Sequence, residues 1–323
     1  MFTPILVIVS VCGALQAQQT PQYSLYQLNP YAYNPAYAGT ENTLVATGVY
    51  RQQWSNLKGA PETQHLNIHM PLYVISSGVG LKVENDAIGA HRSTQALLSF
   101  SYQIELGRQT SLSVGISGGY LQYGLDGDKL RAPEGTYVDA GVFSHNDPNL
   151  PEGKVQAGTA VMEAGVYLQW KELGFGLASQ PAVAPVLEAQ NNGTFRLKPA
   201  RHYLAMANYR VEIGDNLAIR PSVLVKTDFI ETQTEISAVF RWRENIFAGA
   251  SLRGMTGSAR DAIVLLGGLR LNERTTLAYS FDIPLSALKA ANRGSHELLL
   301  RYELNKPIGT GKLPPIIYNP RFF

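Results

Sequence analysis

Apolar and small polar residues alternate strictly in the stretch Ser111-Leu112-Ser113-Val114-Gly115-Ile116-Ser117. Because successive side chains of a β-strand point to opposite faces, this stretch predicts a strand with one apolar face. The same alternation returns at residues 234–242 and 296–304. A chain built from many such strands is typical of a barrel that spans a membrane, with apolar residues against lipid and polar residues in the lumen.

The whole chain predicts about fourteen antiparallel strands, an even number, as bacterial outer-membrane barrels have. Tight turns such as Gly107-Arg108 follow the even-numbered strands, and longer polar segments follow most odd-numbered ones. A barrel with both ends in the periplasm alternates short periplasmic turns with longer external loops in this way. Ile230-Glu231 is the exception, a short link on the external side. The predicted strands are residues 43–54, 62–72, 77–85, 92–106, 109–125, 158–170, 173–182, 200–213, 216–229, 232–242, 246–254, 260–271, 275–283 and 295–305.

The composition also indicates an outer-membrane β-barrel. Charged residues make up 16% of the chain, against about 25% in an ordinary globular domain. The 17 Tyr suit the boundary between lipid headgroups and the apolar core of a membrane. The formal net charge of +2 gives no indication of nucleic-acid binding. After the first 17 residues no apolar run reaches the roughly 18 residues that a membrane-spanning helix needs, so strands have to cross the membrane.

The chain divides into four predicted segments. Residues 1–17 are predicted to be an export signal, because residues 2–15 are almost entirely apolar yet too few to span a bilayer. Residues 18–42 form an arm with two Asn-Pro pairs, which start turns and disfavour α-helix. The arm either plugs the lumen, packs under the barrel or offers a docking surface to another protein. The barrel follows at residues 43–305, and residues 306–323 are predicted to be a periplasmic tail.

Histidine and carboxylate side chains are the candidates for chemistry. His65 and His69 share the predicted inward face of one strand, but no third ligand is spaced nearby, so a polar lumen lining is preferred to a metal site. A hydrolytic site would use His202, His296 and Glu297, yet no nucleophile motif accompanies them. We therefore predict no enzyme activity, no cofactor and no metal.

Several motifs together carry a family resemblance. They are Asn34-Pro35-Ala36-Tyr37-Ala38-Gly39 in the arm, Tyr50-Arg51-Gln52-Gln53-Trp54, the stretch from Gly78-Val79-Gly80-Leu81 to Glu84-Asn85-Asp86-Ala87-Ile88-Gly89, the glycine-rich fifth strand, and Gly294-Ser295-His296-Glu297-Leu298. In these motifs the chain resembles the PorP/SprF family of outer-membrane proteins, which is associated with the type IX secretion system of Bacteroidota. The resemblance runs along nearly the whole mature chain, and the arm motif is its most specific part.

The resemblance implies a barrel in the outer membrane that works beside the secretion machinery and binds or anchors exported cargo at the cell surface. The implied cargo is an adhesin-like protein with a C-terminal sorting domain, and some relatives serve gliding motility. Components of the type IX system and outer-membrane lipid are the other implied partners. An outer-membrane channel for solutes or lipophiles is the alternative function.

The partner contacts are predicted from topology and exposure. The external loops at residues 126–157 and 181–199 are the expected cargo contacts, and the arm is the expected contact with periplasmic machinery. The predicted partner-binding residues are Asn29, Pro30, Asn34, Pro35, Ala36, Tyr37, Gly39, Asp126, Asp147 and Asn192.

Overall fold

The computed structural model describes residues 21–138, 142–147, 150–183, 187–190, 194–197, 199–243, 245–255 and 260–304. These residues form a closed antiparallel β-barrel of 14 strands, which confirms the predicted fold class. Within these ranges no helix is both long and apolar enough to cross a membrane. The predicted export signal and periplasmic tail lie outside the described residues.

The barrel strands are numbered in chain order. They are β1 Val45–Gln52, β2 Glu62–Leu72, β3 Ser77–Ile88, β4 His91–Gly107, β5 Thr110–Asp126, β6 Lys154–Trp170, β7 Leu173–Val183, β8 in two parts His202–Tyr209 and Val211–Ile213, β9 Leu217–Thr227, β10 Thr232–Trp242, β11 Ile246–Met255, β12 Arg260–Arg270, β13 Thr275–Pro284 and β14 Ser295–Glu303. Single turns of 3-10 helix are Tyr26–Leu28, Pro30–Ala32, Pro35–Tyr37, Tyr73–Ile75, Gly127–Lys129 and Ala287–Ala290.

Each strand pairs with its neighbours in sequence, and the barrel closes where β1 pairs with β14. In this closing pair Val45 lies opposite Glu303 and Gln52 lies opposite His296. β8 is interrupted at Arg210, and both of its parts pair with β9. Closure removes the open sheet edges, so strand backbone groups find hydrogen-bond partners within the wall even where lipid surrounds it.

The two ends of the barrel differ in the length of their connections. Turns of two to four residues follow β4, β6, β8, β10 and β12 at the end where the chain enters β1 and leaves β14. We assign this end to the periplasm, since short turns are periplasmic in bacterial barrels. The longest connections, residues 127–153 and 184–201, lie at the other end, and each carries a short hairpin. The hairpin strands are Thr136–Val138 with Val142–Ser144, and Leu187–Gln190 with Thr194–Leu197.

Strands extend further on the external side than the sequence predicts. The prediction of a loop over residues 86–91 is wrong, because β3 and β4 are joined by Gly89-Ala90 alone. Gly89 takes the left-handed conformation, φ +57°, that a tight turn requires. β6 starts at Lys154, which pairs with Asp126, so the loop expected to run to residue 157 is shorter. β4, β5 and β6 each have 17 residues, whereas about 9–11 suffice to cross a membrane. This side of the wall therefore projects beyond the bilayer.

The alternation of side chains separates the two faces of the wall as expected. On β2, Leu66 and Ile68 are exposed on the outer face, whereas His65, Asn67 and His69 are buried on the inner face. Large exposed aromatic side chains near the strand ends face outward, as in the aromatic girdles of membrane barrels. Examples are Trp170, Tyr209, Trp242 and Tyr302 near the periplasmic ends, and Tyr50 and Tyr203 near the external ends.

Candidate functional site

The arm lies inside the barrel. Almost every residue from Tyr23 to Gly39 is buried, although none of them belongs to a strand. The arm is described from Pro21, which lies in the outer half of the lumen near Asp86, and it descends to the periplasmic end, where it enters β1 at Val45. The lumen is therefore occupied by the chain's own N-terminal part.

The Asn34-Pro35 motif folds the arm and attaches it to the wall. The Asn34 Oδ1 atom accepts a hydrogen bond of 2.9 Å from the Ala36 N–H and so caps the turn Pro35–Tyr37. Pro35 occupies the first position of that turn, where a missing N–H costs nothing. The Asn34 Nδ2 group donates 2.9 Å to the carbonyl oxygen of Val166 on β6. The sequence predicted only that this motif disfavours α-helix. In the structure Asn34 both caps a turn of the arm and binds the barrel wall.

Charged residues of the outer half of the wall hold the start of the arm, and we call them the outer clamp. The Ser24 hydroxyl accepts hydrogen bonds from Arg51 at 2.9 Å and Arg253 at 2.7 Å, and it donates 2.7 Å to Asp282. The two arginines also bind Asp282, at 2.6 and 2.8 Å. The Glu297 carboxylate accepts the Ser24 and Leu25 backbone N–H groups, at 2.7 and 3.0 Å. The outer clamp therefore binds both backbone and side chain of the arm.

A second set of charges, the inner clamp, holds the arm nearer the periplasm. Arg301 donates 3.0 Å to the Leu28 carbonyl oxygen, forms a close ion pair with Glu41 of the arm, and bonds Glu303 of the wall at 2.9 Å. The Gly39 N–H donates 3.2 Å to Nδ1 of His69. The two clamps fix the arm at both ends of its path through the lumen.

Glycine residues on the wall, which have no side chain, make room for the arm. A Cβ added at Gly115 on β5 would lie 2.3 Å from the Ala36 nitrogen, and one at Gly78 on β3 would lie 2.0 Å from the Ala38 carbonyl oxygen. Both distances are far below a van der Waals contact. The Ser113 hydroxyl also donates 2.6 Å to the Ala36 carbonyl oxygen. The wall and the arm backbone are therefore in direct contact, which only glycine at these wall positions permits.

The clamps consist of buried charges that depend on one another. The side chains of Arg51, Arg253 and Arg301 are at most 2% exposed, and each has at least two carboxylate partners within 3.0 Å. Burying an ion costs several kcal/mol, and removal of one partner leaves the other uncompensated, at about 3–5 kcal/mol. Loss of any single charged side chain from a clamp should therefore lower the stability of the folded barrel strongly.

Four of the five residues named as candidates for metal or hydrolytic chemistry make other contacts in the structure. His65 bonds Glu84 at 3.1 Å, and His69 accepts from the arm and packs against Tyr31. His296 lies on the outer face, with Nδ1 at 2.6 Å from the Tyr279 hydroxyl, whereas the adjacent Glu297 points into the lumen. The hydrolytic arrangement is therefore not formed. Among the described residues no group of three His, Cys, Asp or Glu side chains is placed to hold a metal ion.

The predicted partner-binding residues divide between the lumen and the external loops. Those of the arm are all buried against the lumen wall: Asn29, Pro30, Asn34, Pro35, Ala36, Tyr37 and Gly39. Asp126 ends β5, and Asp147 lies in the loop of residues 127–153. Asn192 lies outside the described residues. The partner-binding roles themselves stay predictions.

The clamp residues were not predicted to bind the arm. A signal for them exists in the alternation, because Glu297 and Arg301 have the opposite phase to the lipid-facing Leu298 and Leu300. Period two assigns them to the lumen, but it does not show which charges meet across the barrel, since these contacts join residues up to 273 positions apart.

Solved outer-membrane barrels resemble this structure at low sequence identity. The toluene transporter TbuX of Ralstonia pickettii has 10% identity and a TM-score of 0.48, with 84% of this chain and 92% of that chain covered. A FadL homologue of Pseudomonas aeruginosa gives 10% and 0.47, with 84% and 93% covered. Omp33 of Acinetobacter baumannii gives 9% and 0.46, with 82% and 99% covered. Structural similarity at this level does not indicate what the chain binds. No curated protein matches it.

A family model gives the assignment. The model described as type IX secretion system membrane protein PorP/SprF matches residues 15–302. The chain belongs to this family, as its motifs suggested, and it is an outer-membrane β-barrel associated with type IX secretion.

Gly115→Ala should displace the arm, because the new Cβ would overlap the Ala36 backbone. Gly118→Ala on the same strand is the matched control, since a Cβ there meets nothing within 4 Å. We expect chymotrypsin to cleave the tyrosine-rich arm of the purified Gly115→Ala barrel at least about tenfold faster than that of the control, because local opening exposes the arm. Equal resistance of the two variants would contradict the described seating of the arm.

Arg253→Leu should lower the free energy of unfolding by about 3–5 kcal/mol, because it removes the buried arginine partner of Glu235 and leaves Asp282 with Arg51 as its remaining arginine. Arg210→Leu is the control, since its partner Glu212 is 67% exposed and such pairs contribute about 0–1 kcal/mol. Urea unfolding in lipid vesicles measures both values. Similar losses in the two variants would show that the outer clamp does not stabilise the folded barrel.

Proposed function

We propose that this protein is a plugged scaffold in the outer membrane, which binds an exported cargo protein and holds it at the cell surface. The observation that carries the proposal is the arm, which fills the lumen and is bound to the wall along its path. A barrel filled in this way offers its external surface rather than its interior to a large partner.

The plug is also the observation that disfavours the alternative of a solute or lipophile channel. A channel needs a continuous path, whereas Leu25, Tyr31 and Ala36 of the arm have no exposed surface in the lumen. Moving the arm aside would break the buried ion pair between Arg301 and Glu41, together with the hydrogen bonds to Ser24. Such a change is costly without a compensating ligand.

The external loops are the proposed contact with cargo. The connection of residues 127–153 joins β5 to β6 in the part of the wall that projects beyond the bilayer, and the connection of residues 184–201 joins β7 to β8. Each connection carries a hairpin, so it offers a shaped surface rather than a plain turn. Asp126 and Asp147 belong to this region, and Asn192 is proposed to join them. An adhesin-like protein with a C-terminal sorting domain is the proposed partner.

The periplasmic end is the proposed contact with other components of the secretion system. The arm residues Thr40 and Asn42 are half-buried, whereas the preceding residues from Tyr33 to Gly39 are buried. A contact between the arm and periplasmic machinery is therefore limited to this short exposed part while the plug stays seated. Outer-membrane lipid covers the outward face of the wall.

Replacement of residues 127–153 by a short Gly-Asn turn should release one cargo from the cell surface while the barrel stays folded. The loop lies outside the clamps, so the plug is not disturbed. Mass spectrometry of surface and medium proteins measures the release, and the slower migration of the heated barrel on SDS gels reports folding. Replacement of the short loop of residues 228–231 is the control.

Each of three outcomes has a different meaning for the proposal. Cargo lost from the surface and found in the medium supports anchoring. Cargo retained at the surface in the loop variant, with a folded barrel, contradicts the proposed contact. Accumulation of all sorted cargo in the periplasm would replace anchoring by a general role in export.

A further inference from the structure

The turn between β9 and β10 presents two large apolar side chains at the external end of the barrel. Phe229 is 77% exposed and Ile230 is 80% exposed, the two largest exposed fractions among the large apolar side chains of the described residues. The turn belongs to the short external link that departs from the alternation of short and long connections. Adjacent apolar side chains exposed to this degree are typical of a contact surface.

Side chains at the ends of the two strands hold this turn in one conformation. The Asp228 Oδ1 atom accepts hydrogen bonds from the N–H groups of Ile230 at 2.9 Å and Glu231 at 2.7 Å. The Thr227 hydroxyl accepts a hydrogen bond of 3.0 Å from the Phe229 N–H and donates 3.0 Å to the Glu231 carbonyl oxygen. The two apolar side chains are therefore presented by a fixed backbone.

Phe229 occupies a backbone conformation that is poorly suited to a bulky residue. Its φ of +67° lies in the left-handed region, which glycine adopts without strain because it has no Cβ. Glycine would therefore be more favourable for the backbone of this hairpin turn. An aromatic side chain at this position carries a conformational cost that its contacts have to offset.

The ring of Phe229 lies on the lipid side of the wall. It packs against Tyr203 of β8, with the ring centroids 4.7 Å apart. Tyr203 points outward, because its neighbours His202 and Leu204 are buried on the lumen side and side chains alternate along a strand. The turn therefore continues the set of outward-facing aromatic side chains rather than covering the lumen.

The height of the turn matches the outer boundary of the bilayer. β9 and β10 have 11 residues each, against 17 in each of β4, β5 and β6. From Trp242 near the periplasmic end to Thr232, β10 rises about 25 Å along the membrane normal, at about 3.4 Å per residue and a tilt of about 40°. The apolar band of such barrels is about 25 Å tall. The turn thus lies where acyl chains meet the headgroups.

We propose that Phe229 and Ile230 insert into the outer leaflet and anchor this side of the barrel to the acyl chains of its lipids. The inference goes beyond the proposed cargo function and does not rest on it. Continuity with the lipid-facing wall through Tyr203 favours lipid over a protein partner. Asp228 and Glu231 at the base of the turn are charged, so only the two apolar side chains enter the acyl region. A fixed point at this height resists displacement of the barrel along the membrane normal.

Spin labels on single cysteines measure whether the turn lies in lipid. The chain contains one cysteine, Cys12, and Cys12→Ser removes it. In vesicles of dioleoylphosphatidylcholine, a nitroxide on Ile230→Cys is compared with one on Leu298→Cys, on the lipid-facing wall, and one on Asp128→Cys, in an external connection. We expect the ratio of collisions with oxygen to collisions with a water-soluble nickel chelate to be at least about fivefold higher at residue 230 than at residue 128, because apolar oxygen concentrates among acyl chains.

Phe229→Ser separates insertion of the turn from partitioning of the label itself. Combined with the label at residue 230, it should lower the collision ratio by at least about twofold, because half of the apolar surface of the turn is lost. Leu57→Ser is the matched control. Leu57 is 39% exposed in the external connection between β1 and β2, and its replacement should leave the ratio unchanged.

Three results would overturn the inference. A label at residue 230 with the collision ratio of the label at residue 128 would place the turn in water. A ratio that Phe229→Ser leaves unchanged would show that the native side chain does not insert. Dipolar broadening of the label at residue 230 that disappears on dilution with unlabelled protein would assign the turn to a contact with a second copy of this chain.

Discussion

The hydroxyl group of Ser24 lies between two arginines and an aspartate of the barrel wall, and the rest of the structure depends on this contact between arm and wall. Arg51 and Arg253 come from β1 and β11, and Asp282 comes from β13. These charges are buried only because the arm fills the space between them. The wall in turn supplies hydrogen-bond partners and countercharges for the polar groups of the arm. The plug and the lumen lining therefore stabilise each other.

This mutual dependence explains two further features of the chain. The glycines of β3 and β5 let the arm backbone approach the wall, and the Asn34-Pro35 motif sets the turn that brings it there. Barrels of this size commonly enclose water or a plug. Here the plug occupies the lumen, and the outward face and the external end of the wall stay accessible, which is the arrangement that the proposed scaffold function requires.

The alternation of residues predicted the fold and the inward and outward faces, because period two reports the orientation of each side chain directly. Strand ends were predicted less well, as between β3 and β4, since polar strands that leave the membrane resemble loops in composition. The site was predicted only in part. The sequence identified the arm but left its position open, and it grouped His296 with Glu297, which the strand places on opposite faces. Contacts such as that between Arg301 and Glu41 depend on closure of the whole barrel, which no local pattern encodes.

Conductance of the purified protein in planar lipid bilayers tests the central claim most directly. The seated arm should keep the unmodified barrel closed, without conductance steps above the leak of the bilayer, while a variant that lacks residues 18–42 should give steps of an open barrel. Stable steps of similar size in the unmodified protein and in the shortened variant would contradict the account, because they would show that the arm does not close the lumen.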